Sequence, residues 1–450
     1  MIFSYFLIIT RVYAAWFLYI FRLKVLHRKL YYSSIYLFSK QSFRLPQSAR
    51  ADFFIIFKTY FNTLKPVFGK GQGVQKTGTG SVAVLDSTLK GMDDRVNYLS
   101  HFSIKPDLLL GREVLFGDAS LGQKLLAFFL ATKLLSFFWL GSFSRNRASY
   151  ALLIKESVEW LSLLAILKRN KISELYMFCI YEKDSNMLAH ILMKHRIKVN
   201  KITSEVPLTF ANKIIVADKI ILCFNYQKEE LEAYKETMFY KETEIWFPEA
   251  QGAYIHLYNN KKFEVPQQTI GFYSSAFWLR KKLNHSIADV GSYDAEEEVL
   301  KYLSDYLSQR QNIKLIIFTH PYERRTEEIF KDTMTYYKSV LNPSIMNRVE
   351  VTGKETVSTQ TFQKVNIGVS LFSTIMFERI NLGFKTILAP IDKKDFPLAD
   401  SPFRNICAYS KDELFIKLDI NLVLSKADFF RANGIENYIS GKAEINYSLI

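Results

Sequence analysis

Cysteine is scarce in this chain of 450 residues: Cys179, Cys223 and Cys407 are the only three, odd in number and far apart. They exclude a disulfide framework and a CxxC metal site, and they suit a reducing cytoplasm. Tryptophan is also thin, with 5 residues against 37 Phe and 26 Tyr. That aromatic usage fits packed interiors and lipid headgroups equally. There is no H-E-x-x-H and no D-x-D, so no metal site is expected. The Gly- and Lys-rich stretch from Pro66 to Gly80 misses the G-x-x-x-x-G-K-[ST] spacing of a phosphate loop. It reads instead as a mobile loop ahead of a strand at 82–86. Zinc-finger spacing and the aromatic–basic pattern of an RNA-recognition module are both missing, which sets nucleic acid aside as a partner.

What is present begins with charge. The chain carries 59 basic against 44 acidic residues, a net charge of +15. Such a surplus favours anionic partners, with nucleotide phosphate and acidic lipid headgroups foremost. Nearly half the residues are apolar, enough to fill the cores of two ordinary domains. Residues 1–21 are almost wholly apolar except Arg11. A helix of that length just reaches across a bilayer, but a central arginine costs about 2.5–3.5 kcal/mol on insertion scales. No basic residue precedes the run and no A-x-A-like site closes it, so a cleaved signal peptide fits poorly. Arg22, Lys24, Arg28 and Lys29 follow at once and favour the cytoplasmic face. Two readings stand here: an interfacial anchor, or a buried amphipathic helix. A second apolar run, Leu125 to Leu140, is too short to span comfortably and reads as a core helix.

From about residue 150 the pattern becomes regular. Helical periodicity at 150–168 leads to strands at 174–181, 197–202 and 214–224, with a helix at 186–196 capped by Asp184 or Ser185. In the second half, strands are expected at 269–277, 314–320, 348–353, 366–371 and 385–391. Amphipathic helices fall between them, one of them capped by Asp294 and carrying Glu296, Glu297 and Glu298 in its first turn. Strands that read as apolar runs and alternate with helices predict a parallel sheet covered on both faces.

Ligands of such sheets bind beyond the carboxyl ends of the strands. Three of those ends hold polar residues that a core does not require. Ser274 and Ser275, with Arg280, Lys281 and Lys282 close behind, suit either a phosphate or a helix cap. His320 precedes Pro321, which forces the chain out of the sheet, and Glu323, Arg324 and Arg325 come next. There the imidazole could donate to a phosphate or, protonated, stabilise departing charge. Ser373 and Thr374 open a helix directly after a buried strand, a ready anion site. Glu378 lies one turn further and could accept from a ribose or sugar hydroxyl.

His-Pro after one strand, then Ser-Thr-x-x-x-Glu after a later one, resembles the donor half of bacterial GT-B glycosyltransferases. Within these the chain is most similar to the sialyltransferase and polysialyltransferase group, with related layouts in other capsule and lipopolysaccharide transferases and in CDP-glycerol glycerophosphotransferases. The similarity covers about 245–395. It implies an α/β fold of two Rossmann-like domains facing a cleft: an apolar membrane-associating region 1–65, an acceptor-side domain 66–265, and a donor domain 266–450. It implies that His320 touches the donor phosphate and assists its departure, while Ser373 and Thr374 bind the same phosphate. It also implies a carboxylate base near a glycine, for which Glu249, with Gly252 close by, is the matching position. Ala250 stands where the family has a second acid; Glu182 and Asp184 are the competing bases.

The reaction so implied is metal-independent, inverting sugar transfer by single displacement, with no cofactor beyond the nucleotide sugar, a CMP-linked one among the options. The acceptor is a cell-surface glycan or lipid-linked glycan, and the expected place is the cytoplasmic face of the inner membrane, peripheral or monotopic. A non-catalytic scaffold of a polysaccharide assembly complex is the alternative.

Overall fold

The structure, a computed structural model, describes residues 2–38, 58, 60–65, 67, 74–86, 89, 92–111, 120–141, 147–178, 185–203, 214–246, 268–285, 292–356, 358–371, 373–391, 393, 398 and 401–439. The chain divides into two compact units. One is Met1–Cys223 with Gln227–Trp246; the other is Phe247–Ile450 with Phe224–Tyr226.

The first unit begins with two helices, α1 (Ile2–Ile20) and α2 (Arg28–Phe38). Its strands are β1 (Val74–Lys76), β2 (Val82–Asp86), β3 (Leu108–Gly111), β4 (Glu174–Met177), β5 (Lys198–Thr203), β6 (Ile215–Val216), β7 (Lys219–Leu222), β8 (Met238–Phe239) and β9 (Glu242–Ile245). Seven of them form one sheet in the order β1-β3-β2-β4-β5-β7-β9, parallel except for β1 at the edge. The helices are α3 (Met92–Ser100), α4 (Leu121–Gly141), α5 (Arg147–Arg169), α6 (Ser185–Lys194) and α7 (Gln227–Ala233). The long helix α4 contributes Ala127, Leu130, Ala131 and Leu134 to the core, as expected for the apolar run. Helix α1 joins the same core through Ile8, Val12, Ala15 and Leu18. The opposite face of α1 is exposed.

Two local expectations give way here. Residues 74–76, expected to lie in a structureless loop, form β1 because their backbone pairs with β3. Asp107 then ties down the residues between β1 and β2: its carboxylate accepts from Gly80 N at 2.7 Å and from Val82 N at 3.1 Å. The rest of 66–73 lies outside the described residues, apart from Val67. The strand expected at 214–224 is broken at Asp218, whose carboxylate accepts from Val199 N at 3.0 Å. β6 on one side of the break pairs with β8, while β7 on the other joins the large sheet.

The second unit is a five-stranded, wholly parallel sheet in the order β12-β11-β10-β13-β14. These strands are β10 (Thr269–Tyr273), β11 (Lys314–Phe318), β12 (Val349–Val351), β13 (Ile367–Ser370) and β14 (Thr386–Leu388). Every residue of β10, β13 and β14 is buried, as continuous apolar runs require. Around the sheet lie α8 (Phe277–Lys282), α9 (Ala295–Gln309), α10 (Glu327–Val340), α11 (Thr374–Asn381), α12 (Lys411–Val423) and α13 (Lys426–Ala432). The stripe Val299, Leu303, Tyr306 and Leu307 of α9 is buried, at helical spacing. Lys385 closes α12: its ammonium donates to Asn421 O and Leu424 O, both at 2.7 Å, and burial pushes its pKa down to about 8. The chain is therefore α/β throughout, with parallel sheets and one apolar N-terminal helix.

Candidate functional site

Numbered within its own sheet, the second unit has strand order 3-2-1-4-5. The direction of winding reverses between β10 and β13, and that is where a crevice opens in such sheets. The residues singled out from the sequence stand at or next to this point: Ser274 and Ser275 after β10, Ser373 and Thr374 after β13, and His320 after the adjoining β11.

The turn after β10 is closed from within. Glu296, on α9, is 2% exposed and reaches back under it. Its carboxylate accepts from Ser275 N and from Phe277 N, the latter at 2.7 Å. Ser274 Oγ takes the remaining amide, Ala276 N, at 2.9 Å. Ala276 itself lies in the left-handed region at φ 58°, uncommon for a residue with a side chain. Both serines are buried, and in the structure they hold this turn. Asp294 occupies the N-cap position of α9 without a side-chain cap; its carboxylate pairs instead with Lys281 at 2.6 Å. Lys282 pairs likewise with Asp332 at 2.8 Å. Burial, followed by the nearby Glu323 charge, pushes the Glu296 carboxyl up to about 7 against the pull of its two N–H donors.

The turn after β11 is a capping box. His320 Nδ1 accepts from Tyr322 N at 3.1 Å, and Glu323 Oε2 accepts from His320 N at 2.7 Å. Pro321 opens the 3-10 turn Pro321–Arg324, where its missing N–H costs nothing. Because Nδ1 accepts, the proton of the neutral ring sits on Nε2. Burial first, then Arg280 and Arg324, push this imidazole down to about 4. Of the two roles the sequence offered, the lowered pKa favours the neutral Nε2–H donor over the protonated ring. Glu323 is a structural carboxylate: Tyr337 Oη donates to it at 2.9 Å and Trp278 Nε1 also donates, and burial raises its pKa. Arg324 is held by the carbonyls of Lys354 and Thr356, so it fixes a neighbouring turn. Arg280 Nε donates to Ser275 O at 3.1 Å, which ties it to the β10 turn, and the guanidiniums of Arg280 and Arg325 lie 4.9 and 4.4 Å from the centre of the Tyr322 ring.

The turn after β13 differs. Ser373 is the extended N-cap of α11, its side chain makes no cap bond, and Ser373 and Thr374 are half-buried. The first turn of this helix carries no acidic residue, so its N–H groups and dipole present positive charge. Glu378 is buried within the helix rather than on the surface. Beside it Arg379, which no sequence motif marks, is fully buried and pins α11 to the sheet. It donates to Tyr273 Oη at 2.8 Å, to Lys385 O at 3.1 Å and to Phe362 O at 3.2 Å. Gly368 makes this possible, since a Cβ there would stand 2.4 Å from Arg379 Nε. A glycine inside an apolar strand was the available signal.

In the first unit the direction of winding reverses between β2 and β4. Asp86 ends β2 at that point and forms an ion pair with Arg95 at 2.8 Å. It is a carboxylate at the switch point of its sheet that sequence reasoning does not single out, since a lone Asp ending a strand gives no pattern to find. Glu249, Glu182 and Asp184 lie outside the described residues.

No protein-family model matches the chain, and no curated protein matches it. Among solved structures, similar ones include a UDP-GlcNAc 2-epimerase of Methanocaldococcus jannaschii in complex with UDP-GlcNAc and UDP. It shares 9% identity at a TM-score of 0.43, over 77% of this chain and 93% of that one. Another is a UDP-glucose:anthocyanidin 3-O-glucosyltransferase in complex with UDP, at 10% identity and a TM-score of 0.41, over 80% and 93%. A glycosyltransferase of Rickettsia africae shares 12% identity at a TM-score of 0.40, over 81% and 95%. With scores below 0.5 these are distant likenesses, and the fold rests on the strand orders themselves.

Proposed function

We propose that the chain is a nucleotide-sugar-dependent glycosyltransferase of the GT-B kind, with its donor site in the second unit. The observation that carries this reading is the switch point of the parallel sheet. There an uncapped helix N-terminus at Ser373–Thr374 stands next in the sheet to the β10 end and its Arg280, with the Nε2–H donor of His320 one strand further. In this reading Ser373, Thr374 and the first amides of α11 hold the donor phosphate, and Glu378 belongs to the same helix as a sugar- or ribose-side group. Ser274 and Ser275 shape the adjoining turn. An acceptor hydroxyl attacks the anomeric carbon as a carboxylate takes its proton, Glu249 by position in the motif. The anomeric C–O bond breaks toward the phosphate, whose growing charge His320 Nε2–H, Arg280 and Arg325 stabilise. The acceptor we propose is a growing cell-surface glycan of the capsule or lipopolysaccharide type, with the enzyme on the cytoplasmic face of the membrane.

The test is thermal stability of the purified chain with CMP, CDP, UDP, GDP or ADP. A ligand at about a hundred times its dissociation constant adds roughly 2.7 kcal/mol. One nucleotide should stabilise selectively. His320→Asn, which keeps an acceptor for Tyr322 N but loses Nε2–H, should retain the fold and lose most transfer. Stability unmoved by every nucleotide would favour the scaffold instead.

A further inference from the structure

We propose that the exposed face of α1 and the turn after it dock the first unit on an anionic lipid bilayer, lying along its surface rather than crossing it. This gives a surface to the membrane attachment of the proposed function and does not depend on sugar transfer.

Helix α1 is apolar on both sides but covered on one. Ser4, Ile8, Val12, Ala15 and Leu18 face inward against α4 and α5 and belong to the unit's core. Phe3, Phe6, Thr10, Ala14 and Phe17 recur at the same helical spacing on the other side, all exposed. The single hydroxyl in that stripe is bonded within the helix, Thr10 Oγ1 donating to Phe6 O at 2.9 Å and Leu7 O at 3.0 Å. It therefore needs no water. The stripe runs into the turn Phe21–Arg28, where Val25 is 84% and Leu26 71% exposed, interleaved with exposed Arg22, Lys24 and Arg28. Alternating apolar and cationic side chains on one projecting turn fit the boundary between acyl chains and headgroups.

Charge selects the occupant. The first fifty residues hold eight Lys and Arg and no Asp or Glu. Between α1 and α2 lies a cavity of about 530 Å³, lined by Tyr13, Trp16, Phe17 and Leu30, with Arg11 and His27 as its basic members. His27 and the neighbouring His190 are both pushed down by burial and then by cations, foremost Arg11 for both, with Lys29 and Lys194 adding to it. Asp218 is the carboxylate that acts on Lys29, and the cations of the turn, Arg22, Lys24 and Arg28, stay exposed beside it to meet an anionic surface. A second copy of the chain would bring the same cations face to face and is disfavoured. A spanning helix would strip Ile8, Val12 and Ala15 from the core.

The test uses the full chain in flotation with phosphatidylcholine vesicles, with and without phosphatidylglycerol. Binding should need the anionic lipid, weaken in high salt, and fall on the order of tenfold or more in Arg22→Glu/Lys24→Glu. Phe3→Ser/Phe6→Ser should also lose binding, with the melting curve moved little because both rings are mostly exposed. Three outcomes would overturn the proposal. The variants could float like the parent, the chain could resist alkaline carbonate extraction, or it could form a dimer that these variants dissolve without any vesicle binding. Nucleotide-induced stabilisation should be the same in all variants, which keeps a failure here separate from a failure of the donor reading.

Discussion

Strands β10 and β13 lie side by side, and each ends in a pair of hydroxyl residues, yet the two ends have opposite characters. After β10, the amides of Ser275 and Phe277 converge on the buried Glu296 carboxylate and Ser274 caps the third. After β13, Ser373 leaves its helix without a side-chain cap and half-open to solvent. One end carries its own carboxyl acceptor, supplied by a residue 21 positions beyond Ser275; the other has no side-chain cap at its first amides. Residue types alone, Ser-Ser against Ser-Thr, do not separate an anion-binding turn from a self-satisfied one. The distinction lies in whether a distant carboxylate reaches the amides.

The largest effect expected from breaking this contrast is at Glu296. Glu296→Ala leaves two buried N–H groups without an acceptor, at about 1–3 kcal/mol each. Urea denaturation should show a loss of about 2–5 kcal/mol; a loss under about 1 kcal/mol would mean that water or another group replaces the carboxylate. The same residue sets a pH dependence. Its carboxyl lies near 7 in the folded chain against an ordinary 4.5, so the folded state holds more protons between these values. Stability should therefore fall as pH rises from about 4.5 to 7, by on the order of 2–3 kcal/mol. Glu296→Gln should flatten that decline. His320, held near 4, acts on the acid side: below its ordinary 6.5 the unfolded chain takes up a proton the folded one refuses, and stability falls as pH drops toward 4.

A finer separation comes from the hydroxyls. Ser274→Ala removes the acceptor of Ala276 N and should cost about 1 kcal/mol, with nucleotide affinity falling only as the turn loosens. Ser373→Ala, at an N-cap without a side-chain bond, should change stability by less than about 0.5 kcal/mol. If it holds donor phosphate, its nucleotide affinity should fall by roughly ten- to a hundredfold, the loss of a single hydrogen bond to a charged group at about 1.5–3 kcal/mol. Calorimetric titration of both variants with the stabilising nucleotide reads the two effects apart. The reverse pattern, binding lost at Ser274 and kept at Ser373, would move the phosphate to β10.

Much of this architecture is legible because burial writes itself into sequence. The apolar runs around 269–273, 314–318 and 367–370 announce strands, and their alternation with amphipathic helices announces a parallel sheet. The polar residues after them are legible too, as residues a core does not need. Their chemistry is not. Only tertiary contact reveals that Glu296 reaches the β10 turn, that burial and then Arg280 and Arg324 depress His320, or that Arg379 lies against Gly368. Helix ends show the same limit, since Asp294 has the right type and place for a cap yet turns to Lys281. The helices after residue 410 escape a periodicity reading because α12 has little amphipathic contrast, with Ile416, Ile420 and Val423 exposed.

The smallest effect sits inside the closed turn itself. Ala276 adopts φ 58°, and left-handed backbone costs an alanine roughly 1–2 kcal/mol that glycine avoids. Ala276→Gly would relieve that strain, but it also frees the unfolded chain by about 0.4–1 kcal/mol and removes a fully buried methyl group worth about 0.8 kcal/mol. These terms nearly cancel, so the variant should lie within about 0.5 kcal/mol of the parent in urea denaturation. A stabilisation beyond about 1 kcal/mol would show that the methyl packs poorly and that the turn stores strain. A comparable loss would show that the methyl is what keeps the Ser275 and Phe277 amides aimed at Glu296. In that case the closed character of this end depends on side-chain packing as much as on the carboxylate.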